Sequence, residues 1–214
     1  MPHLRSVSAI GLVLVVAATT GACSGSASGS GSGSGSSGGS SATASSTGPR
    51  PAPTESNPPG DIPDNQAFVS YRPSAGAFRA FTVKAPEGWA RTGRGPVAEF
   101  RDKLNSIRIS AASNSSAPTA DSVRTDVVAQ LKDRVPKFGG PKVTTVSRHA
   151  GHVVLLTYEG DSAADPVTGK VVRDAFERYA FYGHGHEVDL TLSGPVNADN
   201  VDPWRIVSDS FAWK

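Results

Sequence analysis

The apolar and polar positions divide the chain into three zones. Residues 9–20 form a nearly unbroken apolar run, residues 24–60 carry almost no large apolar side chain, and from Asp61 onward short apolar patterns recur at two periods. In the third zone, alternation with a period of two predicts strands at 67–71, 78–84, 97–101 and 106–111. In the last of these, Ile107 and Ile109 alternate with Arg108. The period then lengthens. Val123, Val127, Leu131 and Val135 recur every fourth residue, which places them on one face of a helix. Thr119, just after Pro118, is its expected N-cap, Asp121 sits near the positive end of its dipole, and Pro136 with Gly139-Gly140 closes it. Strands at 142–149 and 152–160 flank Ala150-Gly151 as a two-residue hairpin connection. The 161–169 loop leads to a long strand at 171–182. Gly183-His184-Gly185 turns into a strand at 186–192, where Val188, Leu190 and Leu192 alternate with Asp189 and Thr191. A last helix is capped by Asp199 or Asp202, tolerates Pro203 in its first turn, and gathers Trp204, Val207 and Phe211 on one face. The predicted class is α+β: an antiparallel sheet with one inserted and one C-terminal helix packed on it.

One strand departs from simple alternation. After Ala175, residues 171–182 are apolar on both faces, with Phe176 and Tyr182 on one and Tyr179 and Phe181 on the other. Two readings stay open. A central strand covered by helices on both sides needs two apolar faces; so does a strand lining an apolar groove for an acyl chain or a partner segment. In the second reading Trp89, Phe176, Tyr179, Phe181 and Tyr182 are the candidate lining.

The first zone changes the picture from fold to address. Twelve apolar residues span about 18 Å as a helix, short of the roughly 30 Å bilayer core. Behind the positive start Met1–Arg5 they read as the h-region of a signal peptide over residues 1–22. Thr20-Gly21-Ala22-Cys23 resembles a bacterial lipobox, with Thr20 where Leu is usual. That resemblance implies cleavage between Ala22 and Cys23 and a diacylglyceryl group on the Cys23 thiol; two acyl chains suffice for stable anchoring. Residues 23–60 then form a Ser/Gly/Pro tether with no core to fold around.

Residues 61–214 are enough for one domain. They hold 19 Lys and Arg against 18 Asp and Glu, a balance that excludes a strongly basic nucleic-acid binder. The sole cysteine is Cys23, so the domain has neither a disulfide nor a thiolate metal site. His149, His152, His184 and His186 cluster at two turns but lack a carboxylate at ligand spacing, and no metal or cofactor is expected. G-x-S-x-G and G-x-G-x-x-G matches at 33–39 fall in the tether, away from the strand and helix their chemistry requires. No catalytic constellation is expected. Asp161, Asp165, Asp174, Glu177 and Glu187 read as solvated acids or as partners for Lys170, Arg173 and Arg178. The 161–169 loop reads as a strand connection or as the rim of a binding face.

Phe81-Thr82-Val83-Lys84-Ala85-Pro86-Glu87-Gly88-Trp89 resembles the F-x-V-x-x-P-x-G-W opening of actinobacterial LpqN/LpqT-type lipoproteins. Further matching stretches are 165–170, Glu177-Arg178-Tyr179, 192–195 and the close from Ala198 to Trp213, so the resemblance covers most of 78–214. It implies a PsbP-like α/β/α sandwich and an accessory role in the cell envelope connected with long-chain lipids. The expected protein is a membrane-anchored, non-enzymatic envelope lipoprotein that binds a lipid or glycolipid. The alternatives are a module for an envelope protein partner and, behind it, an unrecognised hydrolase.

Overall fold

Strand pairing dominates a computed structural model that describes residues 59–73, 78–165 and 168–214. The expected signal peptide, Ala22, Cys23 and the tether up to residue 58 lie outside the described residues. The strands are β1 (Phe68–Tyr71), β2 (Phe81–Pro86), β3 (Ala90–Arg94), β4 (Val97–Asp102), β5 (Asn105–Ser113), β6 (Gly139–Arg148), β7 (Gly151–Asp161), β8 (Arg173–Gly183), β9 (His186–Pro195) and β10 (Ala212–Trp213). Helical turns lie between β5 and β6, as α1 (Ala120–Ser122), a π-helical segment (Val123–Val127) and α2 (Val128–Arg134); α3 (Val201–Asp209) precedes β10. Among the described residues, seven strands form one sheet in the order β3-β4-β5-β9-β8-β7-β6, and β1-β2-β10 form a small second sheet. The large sheet is antiparallel throughout. The α+β architecture predicted from the pattern is the one observed.

The two faces of the large sheet differ because side chains alternate along each strand. On one face Ile107, Ile109, Val188, Leu190, Leu192, Tyr179 and Phe181 join Phe81, Val83, Trp204, Val207 and Phe211 in the main core. On the other, Val154, Leu156, Tyr158 and Ala180 pack with Val123 and Val128 of the inserted helical segment. β8 is thus a central strand with a core on each side, which accounts for its two apolar faces.

Several local expectations are corrected. The inserted helix is not uniform: its middle turn is π-helical, with the Val128 N–H donating to Val123 O. A five-residue step brings Val128 rather than Val127 into full burial beside Val123. Thr119 caps as expected: its hydroxyl accepts from the Ser122 N–H at 3.0 Å, while Ser122 Oγ accepts from the Thr119 N–H at 2.9 Å. The hairpin connection is His149-Ala150, one residue earlier than expected, because Arg148 pairs with Gly151. Asn200, not Asp199 or Asp202, is the N-cap of α3, and its side chain is committed elsewhere. The second strand starts at Phe81. β3 and β10 had no expectation at all: every residue of β3 is exposed, so it lacks the alternation that identifies a half-buried strand.

The start of the described chain is fixed by the Asn200 side chain. Asn200 Nδ2 donates to Gly60 O at 3.0 Å and to Asn105 Oδ1 at 3.0 Å, while its Oδ1 accepts from the Ile62 N–H at 2.8 Å. Asn105 Nδ2 donates to the same Gly60 carbonyl at 2.8 Å. Gly60 is buried with φ +103°, and a Cβ there would sit 2.6 Å from Pro195 Cγ.

Candidate functional site

The inserted helical segment covers only part of its face of the large sheet. Cross-strand pairing sets rows of neighbours on that face: Arg101, Ser106, Ser193, Phe176 and Tyr158 in one, then Glu99, Arg108, Thr191, Arg178 and Leu156 in the next. In each row the β4, β5 and β9 members are polar, and the β7 member is apolar and lies under the helix. A third row adds Ser110 and Asp189 to the polar side. The uncovered polar half is the floor of a cleft.

The cleft has two lobes that share Arg101, Ser106 and Ser193. The first, of 660 Å³, is walled by Ser162–Asp165, Thr168 and Lys170, with Lys103, Leu104, Val172 and Asp174 among its lining. The second, of 480 Å³, runs under the helix, where Val127, Gln130, Leu131 and Arg134 face Arg108, Ser110, Asp189 and Thr191 of the floor. Tyr158 and Phe176, stacked at 4.6 Å, form its apolar end. The loop expected either to connect strands or to rim a binding face connects β7 to β8, and its described residues wall this lobe.

Electrostatics single out two acids. Among the described residues, Asp174 Oδ1 and Asp189 Oδ1 are the buried side-chain oxygens left without a hydrogen-bond partner, and each acid lines one lobe. Burial pushes the Asp174 carboxyl up to about 6; the nearby Arg101 opposes the shift and Asp161 adds to it. Burial also pushes Asp189 up to about 7, opposed by Arg178 and reinforced by Glu187. Arg178 reaches Asp189 at 2.6 Å and Glu187 at 3.6 Å. Two acids share one guanidinium, so the cluster carries a net negative charge when both are ionised. Arg101 pairs with Glu99. Ser106 and Ser193 hydrogen-bond each other at 2.7 Å, and no histidine lines either lobe among the described residues. This arrangement can hold and orient a ligand through guanidinium, hydroxyl and carboxyl groups beside an aromatic wall.

The five aromatic residues expected to line a groove do not share one surface. Phe176 alone lines the cleft. Tyr179 and Phe181 are fully buried on the opposite face, where Phe181 stacks on Phe211 at 3.9 Å. Trp89 packs half-buried against that main core, and the Tyr182 hydroxyl donates to Asn114 O at 3.2 Å. The separation follows from strand parity, since residues an odd number apart on β8 point to opposite faces. Of the acids, Asp161 pairs with Lys137 at 2.8 Å and Arg173 at 3.8 Å, while Glu177 accepts from the Tyr179 hydroxyl at 2.6 Å. The floor residues Ser106, Ser110, Thr191 and Ser193 were not singled out in the sequence. Their signal was the polar half of the alternation on two strands that turn out to be neighbours.

No protein-family profile matches the chain, and no curated protein does. Among solved structures it is similar to cyanobacterial PsbP (CyanoP) from Synechocystis sp. PCC 6803, with a TM-score of 0.45 and 15% identity over 70% of this chain and 94% of that one. It is similar to a protein from Bacteroides thetaiotaomicron VPI-5482 with a TM-score of 0.42 and 12% identity over 63% of this chain; the match spans 45% of that chain. A third likeness is to LpqN, involved in cell envelope biogenesis of Mycobacterium tuberculosis, with a TM-score of 0.36 and 12% identity over 70% of this chain and 85% of that one. Likenesses at this level extend to no ligand or activity.

Proposed function

We propose that the chain is a non-enzymatic binding protein of the bacterial cell envelope, anchored through lipidated Cys23, and that it holds the head of an envelope lipid or glycolipid in the two-lobed cleft. The observation that carries this reading is the uncovered half of the large sheet. It is a concave floor of hydroxyl and charged side chains, with an aromatic and aliphatic wall of Tyr158, Phe176, Val127 and Leu131 beside it. Polar groups that fix orientation next to apolar surface suit an amphiphile. A pure acyl-chain tunnel would need the apolar lining that Tyr179 and Phe181 instead supply to the core. The Cys23 motif supports delivery to a membrane, where such a ligand is concentrated. A second reading, docking of an envelope protein, is favoured by Val201 and Ile206, large apolar side chains exposed on α3.

Native mass spectrometry of the Cys23→Ser chain, before and after incubation with envelope lipid extract, tests the two. A discrete retained lipid mass, lost on bulky substitution of Ser193 at the junction of the lobes, is the expected result. A bare protein mass under gentle conditions would overturn lipid binding and favour a protein partner.

A further inference from the structure

We propose that the helix lobe is an anion site, taking a phosphate-type head group between Arg108 on the β5 floor and Arg134 on α2. Both residues line the same 480 Å³ cavity from opposite sides, and neither has an ion-pair partner among the described residues. The other two arginines of this lining are engaged, Arg101 by Glu99 and Arg178 by Asp189. Glu99 and Asp189 share the lining but are held by Arg101 and Arg178, which leaves the Arg108 and Arg134 guanidinium groups as donors suited to a tetrahedral oxyanion. Ser110 and Thr191 on the floor and Gln130 on the lid add neutral donors in the same lining. The balanced charge of the domain makes this convergence local, so the site would select an anion without becoming a general polyanion surface.

A second feature couples the site to protons. Ser110 is the direct cross-strand partner of Asp189, and Arg108 lies two residues along β5. Asp189 is faced by Arg178 from β8, by Glu187 on its own strand, by Arg108 and Ser110 from β5, and by Val127, Gln130 and Arg134 from the helical segment. With burial holding its carboxyl near 7, an anion bound beside it favours the neutral form. Binding therefore takes up a proton and strengthens as pH falls. The inference rests on the proposed function only for the source of the ligand.

The test uses the soluble Cys23→Ser chain and glycerophosphoglycerol, a phosphodiester whose charge is fixed between about pH 5 and 8. Calorimetric titration should show saturable binding, weakened about tenfold or more in Arg108→Gln and in Arg134→Gln, the loss of one charge-assisted contact. Arg205→Gln on α3 should leave it unchanged. Binding should be tighter at about pH 6 than at about pH 8, and Asp189→Asn should remove that difference. No binding, or equal binding by both cleft variants and the parent, overturns the proposal. Sedimentation with phosphatidylglycerol and phosphatidylcholine vesicles separates the sources. Capture by phosphatidylglycerol alone, competed by the soluble diester, identifies a lipid head group; diester binding without vesicle capture identifies a soluble phosphate ester. If the envelope extract delivers a lipid lacking an anionic group and Arg108→Gln retains it, this inference fails while the lipid reading stands. If the diester binds and no lipid is retained, the reverse holds.

Discussion

Asp174 is 4% exposed and has one oxygen without a partner. Its carboxyl rises from 3.8 to about 6 on folding, chiefly through burial. The folded chain therefore keeps a proton that the unfolded chain releases. The stability contributed by the neutral form is fully present below about pH 4 and is lost as pH rises through about 6. Asp174→Asn, which cannot ionise, should raise the thermal midpoint near pH 7.5 by an amount equivalent to about 1–2 kcal/mol, and change it little near pH 4. Equal effects at both pH values would show that ionisation of this residue is not what costs stability. The acid itself was visible in the sequence among its neighbours. Its burial was not, because it depends on tertiary packing around β8, a long-range event with no local periodicity. Asp189 poses the same difficulty: the pattern gives it to the polar side of β9, which is normally the solvated side.

Elements were legible in proportion to how regularly they bury a face. β4, β5, β7, β8 and β9 alternate or run apolar, and each was found within a few residues. β3 is exposed throughout and β10 is two residues long, so neither leaves a pattern. The inserted helix is instructive because its caps and face were readable while its pitch was not. Val123, Val127 and Leu131 satisfy a period of four, whereas the π turn sets Val128 beside Val123 in the cluster with Val154, Leu156 and Tyr158. The reciprocal Thr119–Ser122 bonds fix where the first turn starts. Thr119→Ala should cost about 1 kcal/mol in urea unfolding, with Thr119→Ser nearly neutral. An unchanged midpoint for Ala would mean that tertiary packing alone fixes that end.

For the whole molecule, the sequence conveyed a two-sided sheet but not where cover would stop. The helical segment spans 120–134, too short to lie over all seven strands, and this mismatch creates the cleft. The aromatic residues named as a candidate lining do not share one surface: Tyr179 and Phe181 fill the core, and the open cleft falls largely to serines, arginines and a threonine. The proposed anchor carries its own test. Cys23→Ser should move the protein from the membrane fraction to the medium in a bacterium that processes lipoproteins. Retention of the variant at the membrane would refute the lipid anchor.

Gly60 also has a mechanical consequence. Its carbonyl is gripped by Asn105 at the start of β5 and by Asn200 ahead of α3, and β5 and β9 are inner neighbours in the seven-stranded sheet. Tension arriving along the preceding chain is therefore received by two asparagines and passed to the middle of the sheet. No edge strand is presented to be peeled away, and the load enters β5 between Leu104 and Ser106 of the cleft.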